Sequence, residues 1–155
     1  MLELPKLNLP EYQFNIRCEE KNYKIFDIIR NAFVALTPEE WVRQNVVQHL
    51  IDALNFPKNR ISNETSILYN KLSKRCDTVI YDSEYQPLAI CEYKKPQTDI
   101  SQKVFDQIAI YNCKLNVPYL LVSNGFFHYF CKVDFEAKRY LFSENLPDYK
   151  LLCKS

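Results

Sequence analysis

The sequence contains a single glycine, Gly125, among its 155 residues. Average proteins contain roughly 7% glycine, and loops that cradle phosphate groups need several glycines at fixed spacing. The sequence therefore has no glycine-rich nucleotide-binding loop of the Walker type. This absence excludes an ATP-driven motor from the functions that the chain itself carries.

Excess positive charge and long apolar runs are also missing. Twenty basic and 19 acidic residues give a formal net charge of +1, so a nucleic-acid interface would have to be a local patch. No apolar run approaches the length of a membrane span, and the first residues lack the basic start and apolar core of a signal peptide. We expect a cytoplasmic protein with no membrane partner.

The cysteines do not follow the spacing of a metal site or a disulfide framework. None forms a C-x-x-C pair, and neither His49 nor His128 stands at zinc-ligand spacing from a cysteine. Without an export signal the compartment is reducing. We therefore predict reduced, structural thiols at Cys18, Cys76, Cys91, Cys113, Cys131 and Cys153.

The stretch 75–95 predicts an antiparallel hairpin. Two apolar runs, 78–81 and 88–91, flank a short polar segment, and this pattern is typical of two strands joined by a turn. A four-residue loop would place Asp82 opposite Pro87.

The same register places Asp77 directly opposite Glu92, and Lys94 points to the same face as Glu92. Directly opposed Cβ atoms lie roughly 4.5–5.5 Å apart, so the two carboxylates repel unless a positive charge separates them or one holds a proton. Lys94, Arg75 or a bound cation could supply that charge. Two acidic oxygens suit a hard divalent ion, while a solvated charge cluster on an edge hairpin is the alternative.

A helix is predicted from Thr37 to about Leu54. Thr37 is the expected N-cap, Pro38 occupies the first helical position, and Glu40 stands at the capping-box position. Arg43 follows on the same side. Capping alone would explain Glu40, because acidic residues in a first turn also stabilise the helix dipole.

The second half predicts a helix that starts at Thr98 or Asp99 and reaches Leu115. On it, Gln107 and Tyr111 are helical neighbours. The expected buried side comprises Ile100, Val104, Ile108, Tyr111 and Leu115.

Further strands are predicted at 60–68, 118–122 and 140–142. The strand 118–122 follows a crossover helix and should run parallel to the strand of Glu92. Asn124-Gly125 favours a type I′ hairpin turn. The lysine-rich segment 67–74 is interpreted as a connection.

Asp77, followed after fourteen residues by Glu92, Tyr93 and Lys94, resembles the signature of the PD-(D/E)xK nucleases, with Cys76 in place of the proline. The later Gln107-Ile-Ala-Ile-Tyr111 motif is similar to that of the N-terminal nuclease domain of type I restriction enzyme R subunits. Similarity to that domain extends from Pro38-Glu39-Glu40-Trp41-Val42-Arg43-Gln44 to the Asn124-Gly125 turn.

The resemblance implies an α/β fold with a restriction-endonuclease-like core, a mixed central β-sheet flanked by helices. It divides the single domain into an N-terminal arm at 1–36 that packs on the core, a nuclease-like core at 37–143 and a C-terminal tail at 144–155.

The resemblance also implies the catalytic residues. Asp77 and Glu92, with a backbone carbonyl such as that of Cys91, would hold Mg²⁺, with Mn²⁺ as a substitute. Lys94 would orient the attacking water or stabilise negative charge on the phosphoryl oxygens. An acid from the first helix would complete the site, Glu40 by position, with Glu39 as the alternative, and Glu64 is a further acid expected near it.

Gln107, Tyr111, Arg43 and Arg75 are the expected DNA contacts. The implied function is metal-dependent endonucleolytic hydrolysis of DNA, without the ATP-driven motor, in partnership with restriction-modification subunits or a separate motor protein. Two alternatives are an inactive nuclease-fold module that binds DNA or a partner protein, and an unrelated α/β interaction domain.

Overall fold

The computed structural model describes residues 3–154, apart from the side chain of Tyr111. The strands within those residues are β1 (Ile16–Glu19), β2 (Asn22–Asp27), β3 (Ala32–Ala35), β4 (Ile61–Tyr69), β5 (Leu72–Tyr81), β6 (Pro87–Tyr93), β7 (Tyr119–Ser123), β8 (His128–Asp134) and β9 (Arg139–Ser143). The helices are α1 (Pro38–Asp52), α2 (Gln102–Cys113) and α3 (Tyr149–Lys154), with a short 3-10 helix at Lys58–Arg60. The predicted mixed α/β class is confirmed.

Six strands form the central sheet in the order β4-β5-β6-β7-β8-β9. β6 and β7 are parallel and every other neighbouring pair in this sheet is antiparallel. The parallel pair is joined through α2, as the crossover rule requires. All five residues of β7 are buried, because helices cover both of its faces.

Each face of the sheet packs against one long helix. α1 covers one face through Val42, Val46, Val47 and Leu50, which are at most 1% exposed. α2 covers the other through Phe105 and Ala109. Burying an aliphatic side chain of this size contributes roughly 1.5–3 kcal/mol, so these two interfaces fix the helices on the sheet. Among the described helices, none has the length and apolar character needed to cross a bilayer.

The predicted connection at 67–74 is wrong, because β4 continues to Tyr69 and β5 begins at Leu72. Only Asn70 and Lys71 lie between them, with φ of 47° and 65°. Two positive φ values are what a two-residue type I′ turn requires. The ends of these two strands escaped detection because one of their faces is polar and exposed.

The β5–β6 loop differs from the prediction by one residue. Tyr81, and not Asp82, pairs with Pro87, and a bulge follows between Ile80 and Tyr81. Asp82 instead caps the loop, since its Oδ1 accepts hydrogen bonds from the backbone N–H groups of Glu84 and Gln86. The bulge compensates for this one-residue shift, so the pairs from Ile80 with Ala89 to Thr78 with Cys91 have the predicted register.

Helix α2 begins later than predicted. The Oγ of Ser101 accepts a hydrogen bond from the N–H of Val104 at 3.4 Å, so Ser101, and neither Thr98 nor Asp99, is the N-cap. The buried face is also rotated from the predicted one. It carries Phe105, Ala109 and Asn112, while Val104 and Ile108 are half-buried.

The Asn124-Gly125 turn is not of type I′. β7 and β8 are joined by the four residues 124–127, and of the first two only Gly125 has a positive φ. The Oδ1 of Asn124 accepts hydrogen bonds from the N–H groups of Phe126 and Phe127. The side chain of Asn124 therefore closes the loop.

Both ends of the described chain are more ordered than the sequence indicated. The N-terminal arm contains a three-stranded antiparallel sheet, β1-β2-β3, and Trp41 Nε1 donates to the carbonyl of Pro5 at 3.0 Å. In the segment expected to be a tail, α3 buries Leu152 to 2% exposure, and the hydroxyl of Tyr149 donates to the carbonyl of Tyr81. The two terminal segments thus pack on the core.

Gly125→Ala is expected to lower the free energy of unfolding by about 2–4 kcal/mol, through backbone strain and overpacking together. The φ of Gly125 is +86°, and a Cβ there would lie 2.6 Å from Cδ2 of Leu7. Urea denaturation measures the change.

Leu7→Ala provides the control for that substitution. In the Leu7→Ala background the contact is relieved, so Gly125→Ala should cost only the backbone strain, about 1–2 kcal/mol. An equal loss of unfolding free energy in both backgrounds would contradict the steric contact between Leu7 and a Cβ at position 125.

Candidate active site

The candidate site lies where β5 and β6 separate. Their ladder ends at the pair Thr78 and Cys91. Beyond it β5 pairs with β4, and β6 pairs with β7 through Glu92 and Tyr93. We call this point the fork, and Asp77 and Glu92 are the first residues of the two strands beyond it. The register that the sequence predicted for this pair holds up to its last ladder pair.

Asp77 closes the gap between the separating strands. Its Oδ2 accepts a hydrogen bond from the backbone N–H of Tyr93 at 2.8 Å. The carboxylate thus takes the place of the backbone carbonyl that would accept a hydrogen bond if the β5–β6 ladder continued. Its Oδ1 lies 3.4 Å from Nη2 of Arg43, and its side chain is 22% exposed. One edge of the carboxylate is thus fixed by protein groups, while the residue keeps access to solvent.

Glu92 is held by a lysine other than the one predicted. Lys74, from β5, forms an ion pair with Oε1 of Glu92 and also donates to Oδ1 of Asn112 on α2 at 2.9 Å. Burial raises the pKa of Glu92 and the charge of Asp77 raises it further, while Lys74 and Lys94 oppose the shift. Glu92 therefore lies within the electrostatic range of Asp77 and of both lysines.

Lys94 reaches the site from the end of β6. Its backbone N–H donates to the carbonyl of Ser123 at 2.9 Å, which extends the parallel pairing by one residue. Its positive charge lowers the pKa of both Glu92 and Glu39. Lys94 therefore stands two residues beyond Glu92 on the strand that leaves the fork, within electrostatic range of Glu92 and Glu39.

The two glutamates of α1 differ in their surroundings, and Glu39 is the one whose pKa responds to the charges of Asp77 and Lys94. Burial raises the pKa of Glu39 and the charge of Asp77 raises it further, with Lys94 and Arg43 acting in the opposite direction. Glu40 is buried, and its carboxylate accepts hydrogen bonds from three side chains. The donors are Arg30, Arg43 and Gln44, at 2.7, 3.0 and 2.8 Å.

Arg43 is part of the interior, with only 4% of its side chain exposed. Its guanidinium contacts the carboxylates of Glu40 at 3.0 Å, Glu64 at 2.5 Å and Asp77 at 3.4 Å. A side chain so enclosed does not extend to solvent, where a DNA phosphate would lie. Arg75, in contrast, is 71% exposed and pairs with Glu64 at 2.6 Å.

The remaining predicted site residues are Cys91, Gln107 and Tyr111. Cys91 is fully buried in a strand that is paired on both sides, and burial raises the pKa of its thiol to about 12, so its sulfur remains protonated. Gln107 is exposed on α2. The backbone of Tyr111 belongs to α2, and its side chain lies outside the described part of the structure.

The sequence interpretation missed two polar partners, Lys74 and Asn112. Lys74 was placed in a loop, although it stands two residues before the buried Cys76 and therefore shares its face of the strand. Asn112 is 3% exposed beside the apolar residues of α2. A polar residue on an otherwise apolar helix face was the available signal.

A series of buried hydrogen bonds connects the site to the N-terminal sheet. The hydroxyl of Tyr93 donates to Oγ1 of Thr78, which donates to Oδ1 of Asn63, and Nδ2 of Asn63 donates to Oδ2 of Asp27. Arg30 then joins Asp27 to Glu40. The N-terminal sheet is therefore connected to the strand that carries Glu92.

The donor set at the fork fits a hard divalent ion in chemistry. Among the described residues no group of three or more His, Cys, Asp and Glu side chains is arranged to hold a metal. Asp77 and Glu92 nevertheless offer carboxylate oxygens, the ligands that Mg²⁺ and Mn²⁺ prefer. The negative charge of Asp77 raises the pKa of Glu92 and of Glu39, and a cation at this point would relieve that repulsion.

Substitution of Glu40 and of Glu39 should have opposite effects on stability. Glu40→Gln removes charge from a buried carboxylate with three donors, so we expect the free energy of unfolding to fall by about 2–4 kcal/mol. Glu39→Gln should leave stability unchanged or higher at pH 8. Urea denaturation of both variants measures this.

The direction of the stability change expected for Glu39→Gln follows from the raised pKa of Glu39. The stability due to its protonated form is present below the ordinary pKa of 4.5 and is lost as pH rises through the raised folded value. The difference between Glu39→Gln and the parent should therefore vanish as pH falls toward 4.5. A Glu39→Gln variant less stable than Glu40→Gln would contradict the two assignments.

Comparison with known proteins agrees with this architecture. The chain is similar to the fragment structure of a protein assigned as an HsdR subunit of a type I restriction enzyme from Vibrio vulnificus YJ016, with a TM-score of 0.54 and 19% sequence identity. The similarity covers 77% of this chain and 25% of that chain, so this chain spans about a quarter of its structural relative. At this identity the likeness establishes the fold.

Curated protein sequences gave no match. The profile of a family described as the type I restriction enzyme R protein N terminus matches residues 38–147. The matched segment contains α1, the whole central sheet and every residue of the fork. Because it covers more than half of the chain, the protein belongs to the family of type I restriction enzyme R protein N-termini.

Proposed function

We propose that this chain is a metal-dependent DNA nuclease domain that hydrolyses phosphodiester bonds, with the activity located at the fork. The observation that carries the proposal is that Asp77 and Glu92 directly follow the last ladder pair on neighbouring strands, with Lys94 two residues beyond Glu92 and within its electrostatic range. Family membership supports it, because the family consists of N-terminal domains of restriction enzyme R subunits.

Asp77 and Glu92 are the residues that would hold Mg²⁺, or Mn²⁺ in its place, with the backbone carbonyl of Cys91 as a further candidate ligand. When bound, the ion would polarise the scissile phosphate and lower the pKa of an attacking water. Asp77 is prepared for this role because Tyr93 and Arg43 fix its position. Glu92 would exchange its ion pair with Lys74 for the ion.

Lys94 supplies the positive charge at the reacting phosphate. The hydrogen bond from its backbone to Ser123 fixes the base of the side chain. The ammonium can then donate hydrogen bonds to the attacking water or to the phosphoryl oxygens that gain negative charge, and such preorganised charge stabilises the transition state.

The two glutamates of α1 have separate roles in this proposal. Glu39 is the acid that completes the site, because it experiences the charges of Asp77 and Lys94. Glu40 acts through Arg43, which it holds in contact with Asp77. Glu40 is therefore a positioning residue, while Arg43 is a structural partner of three acids and not a contact to DNA.

DNA is the proposed substrate, and the exposed residues Arg75 and Gln107 are the proposed contacts to it, with Tyr111 from the same helix as Gln107. Restriction-modification subunits or a separate motor protein are the proposed partners. The domain itself would supply hydrolysis and no ATP-driven movement.

An inactive nuclease-fold module that binds DNA or a partner protein is the second candidate. The observation that favours it is that protein cations already pair with both carboxylates, Lys74 with Glu92 and Arg43 with Asp77. The two candidates differ in one measurable property, hydrolysis in the presence of a divalent ion.

Cleavage should require Mg²⁺ or Mn²⁺ and should fall by about 10²-fold or more in Asp77→Asn and in Lys94→Ala, in line with the loss of one electrostatic catalytic group. The assay follows plasmid and single-stranded DNA on gels. Lys138→Ala, in an exposed turn next to the edge strand β9, is the matched control and should cleave like the parent.

Cleavage that survives both Asp77→Asn and Lys94→Ala would refute the assignment of the site. Binding of DNA with no cleavage under any metal condition would establish the inactive module instead.

Divalent ions should stabilise the protein at pH 8 and lose that effect toward pH 5. Only ionised carboxylates hold the ion, and the pKa values of Glu39 and Glu92 are raised, so protonation displaces it as pH falls through them. An ion at 100 times its Kd adds about 2.7 kcal/mol, or about 5–10 °C in Tm for a chain of this size. Scanning calorimetry with Mn²⁺ measures the shift.

Glu92→Gln should abolish most of the Mn²⁺ shift, and Asp134→Asn, in the last position of β8, should retain it. A shift of equal size in Glu92→Gln would place the ion elsewhere.

A further inference from the structure

The β4–β5 hairpin extends past the fork as a two-stranded ribbon that no longer pairs with β6. β5 pairs with β6 only from Thr78 onward, whereas its pairing with β4 continues for five more residue pairs, from Thr65 with Cys76 to Tyr69 with Leu72. We call the segment 65–76 the ribbon. At roughly 3.4 Å per residue, five pairs span about 15 Å beyond the main sheet.

One face of the ribbon packs on the protein and the other faces solvent. On the inner face, Ile67 and Cys76 are 7% and 0% exposed, and Lys74 reaches Glu92 and Asn112. The outer face carries side chains that are all exposed: Ser66, Leu68, Ser73 and Arg75. The ribbon is therefore held firmly from one side while the other side is available to a partner.

The charge of the ribbon is of one sign. Between residues 65 and 76 the sequence contains Lys71, Lys74 and Arg75 and no Asp or Glu. Lys74 points inward and pairs with Glu92, so the basic side chains that a polyanion would meet are Lys71 in the turn and Arg75, which is 71% exposed and also pairs with Glu64.

The outer face is continuous with the candidate active site. Arg75 contacts Oε2 of Glu64, and Oε1 of Glu64 contacts Arg43, which contacts Asp77. A ligand whose phosphate lies at the fork would therefore extend along the outer face of the ribbon.

We propose that the ribbon is a binding element for double-stranded DNA, which enters the major groove beside the phosphate presented to the fork. This inference rests on the proposed function and adds the surface that holds the substrate. The major groove is about 12 Å wide and admits a two-stranded ribbon, and the two paired strands of this ribbon, with axes about 4.8 Å apart, have the width that the groove accepts. An A-form RNA duplex has a major groove too narrow for such an element.

The side chains of the outer face favour a duplex over a single strand. Proteins that hold single strands stack successive bases on aromatic rings. The four outer-face residues include no aromatic one, and the single aromatic residue of the ribbon, Tyr69, is 37% exposed at its tip. Hydroxyl groups, an aliphatic side chain and an arginine are instead the types that read base edges in the groove. Ser66, Ser73, Leu68 and Arg75 supply them.

Binding can be measured apart from cleavage in the full chain carrying Asp77→Asn, with Mg²⁺ and a fluorescent 20-base-pair duplex as the probe. Fluorescence anisotropy between 50 and 200 mM NaCl gives Kd and its salt dependence. We expect Lys71→Glu and Ser73→Glu each to weaken duplex binding about tenfold, and Lys71→Ala to reduce the salt slope by about one, as for one lost phosphate contact.

Lys138→Glu is the matched control for Lys71→Glu. Lys138 is also an exposed lysine with positive φ, 52° against 65°, and it lies in the turn between β8 and β9, next to the opposite edge of the sheet. It should bind the duplex like the parent. Since every substituted side chain is exposed, unchanged thermal unfolding would confirm that the fold is retained.

The outcomes separate this inference from the proposed function. Ribbon variants that bind the duplex like the parent would overturn the role of the ribbon, and so would an equal loss for a single-stranded probe. Absence of duplex binding by the parent would overturn it as well. Weakened binding in the ribbon variants together with no cleavage by the unsubstituted protein would support the ribbon and refute the nuclease assignment.

Discussion

Contact of one buried guanidinium with three carboxylates is the interaction on which the rest of the site depends. Arg43 is 4% exposed and joins Glu40, Glu64 and Asp77, which come from α1, β4 and β5. Burying this many charges is costly unless each has a partner. The arrangement is satisfied only when helix and sheet are in their observed positions, so the packing of α1 and the position of Asp77 are one property of the fold.

The N-terminal sheet belongs to the same charge system. Asp27 is completely buried, and hydrogen bonds from the backbone of Arg30, from Asn63 and from the Arg30 side chain hold its pKa below the ordinary value despite the opposing effect of burial. Arg30 also contacts Glu40. A segment that looked like an arm in the sequence thus supplies a charge pair to the interior, beside the residues that fix Arg43.

The sequence predicted what depends on local pattern and missed what depends on tertiary contact. The Thr37 cap, the parallel β6–β7 pair and the register of Thr78 with Cys91 follow from spacing, and all are present. The bulge beside Tyr81 and the Asn70-Lys71 turn were missed because neither changes the apolar pattern. The ion pair of Lys74 with Glu92 could not be predicted. The packing of the ribbon against α2 decides which lysine reaches this carboxylate.

The ion pair between Lys74 and Glu92 bears on how far the protein depends on a metal ion in order to fold. A domain that neutralises its own acids does not depend on a metal to fold, unlike small zinc modules whose chains are unfolded until the ion binds. In the proposed nuclease, a divalent ion would compete with Lys74 at Glu92 and with Arg43 at Asp77, so the protein's own cations would set how much metal the site requires.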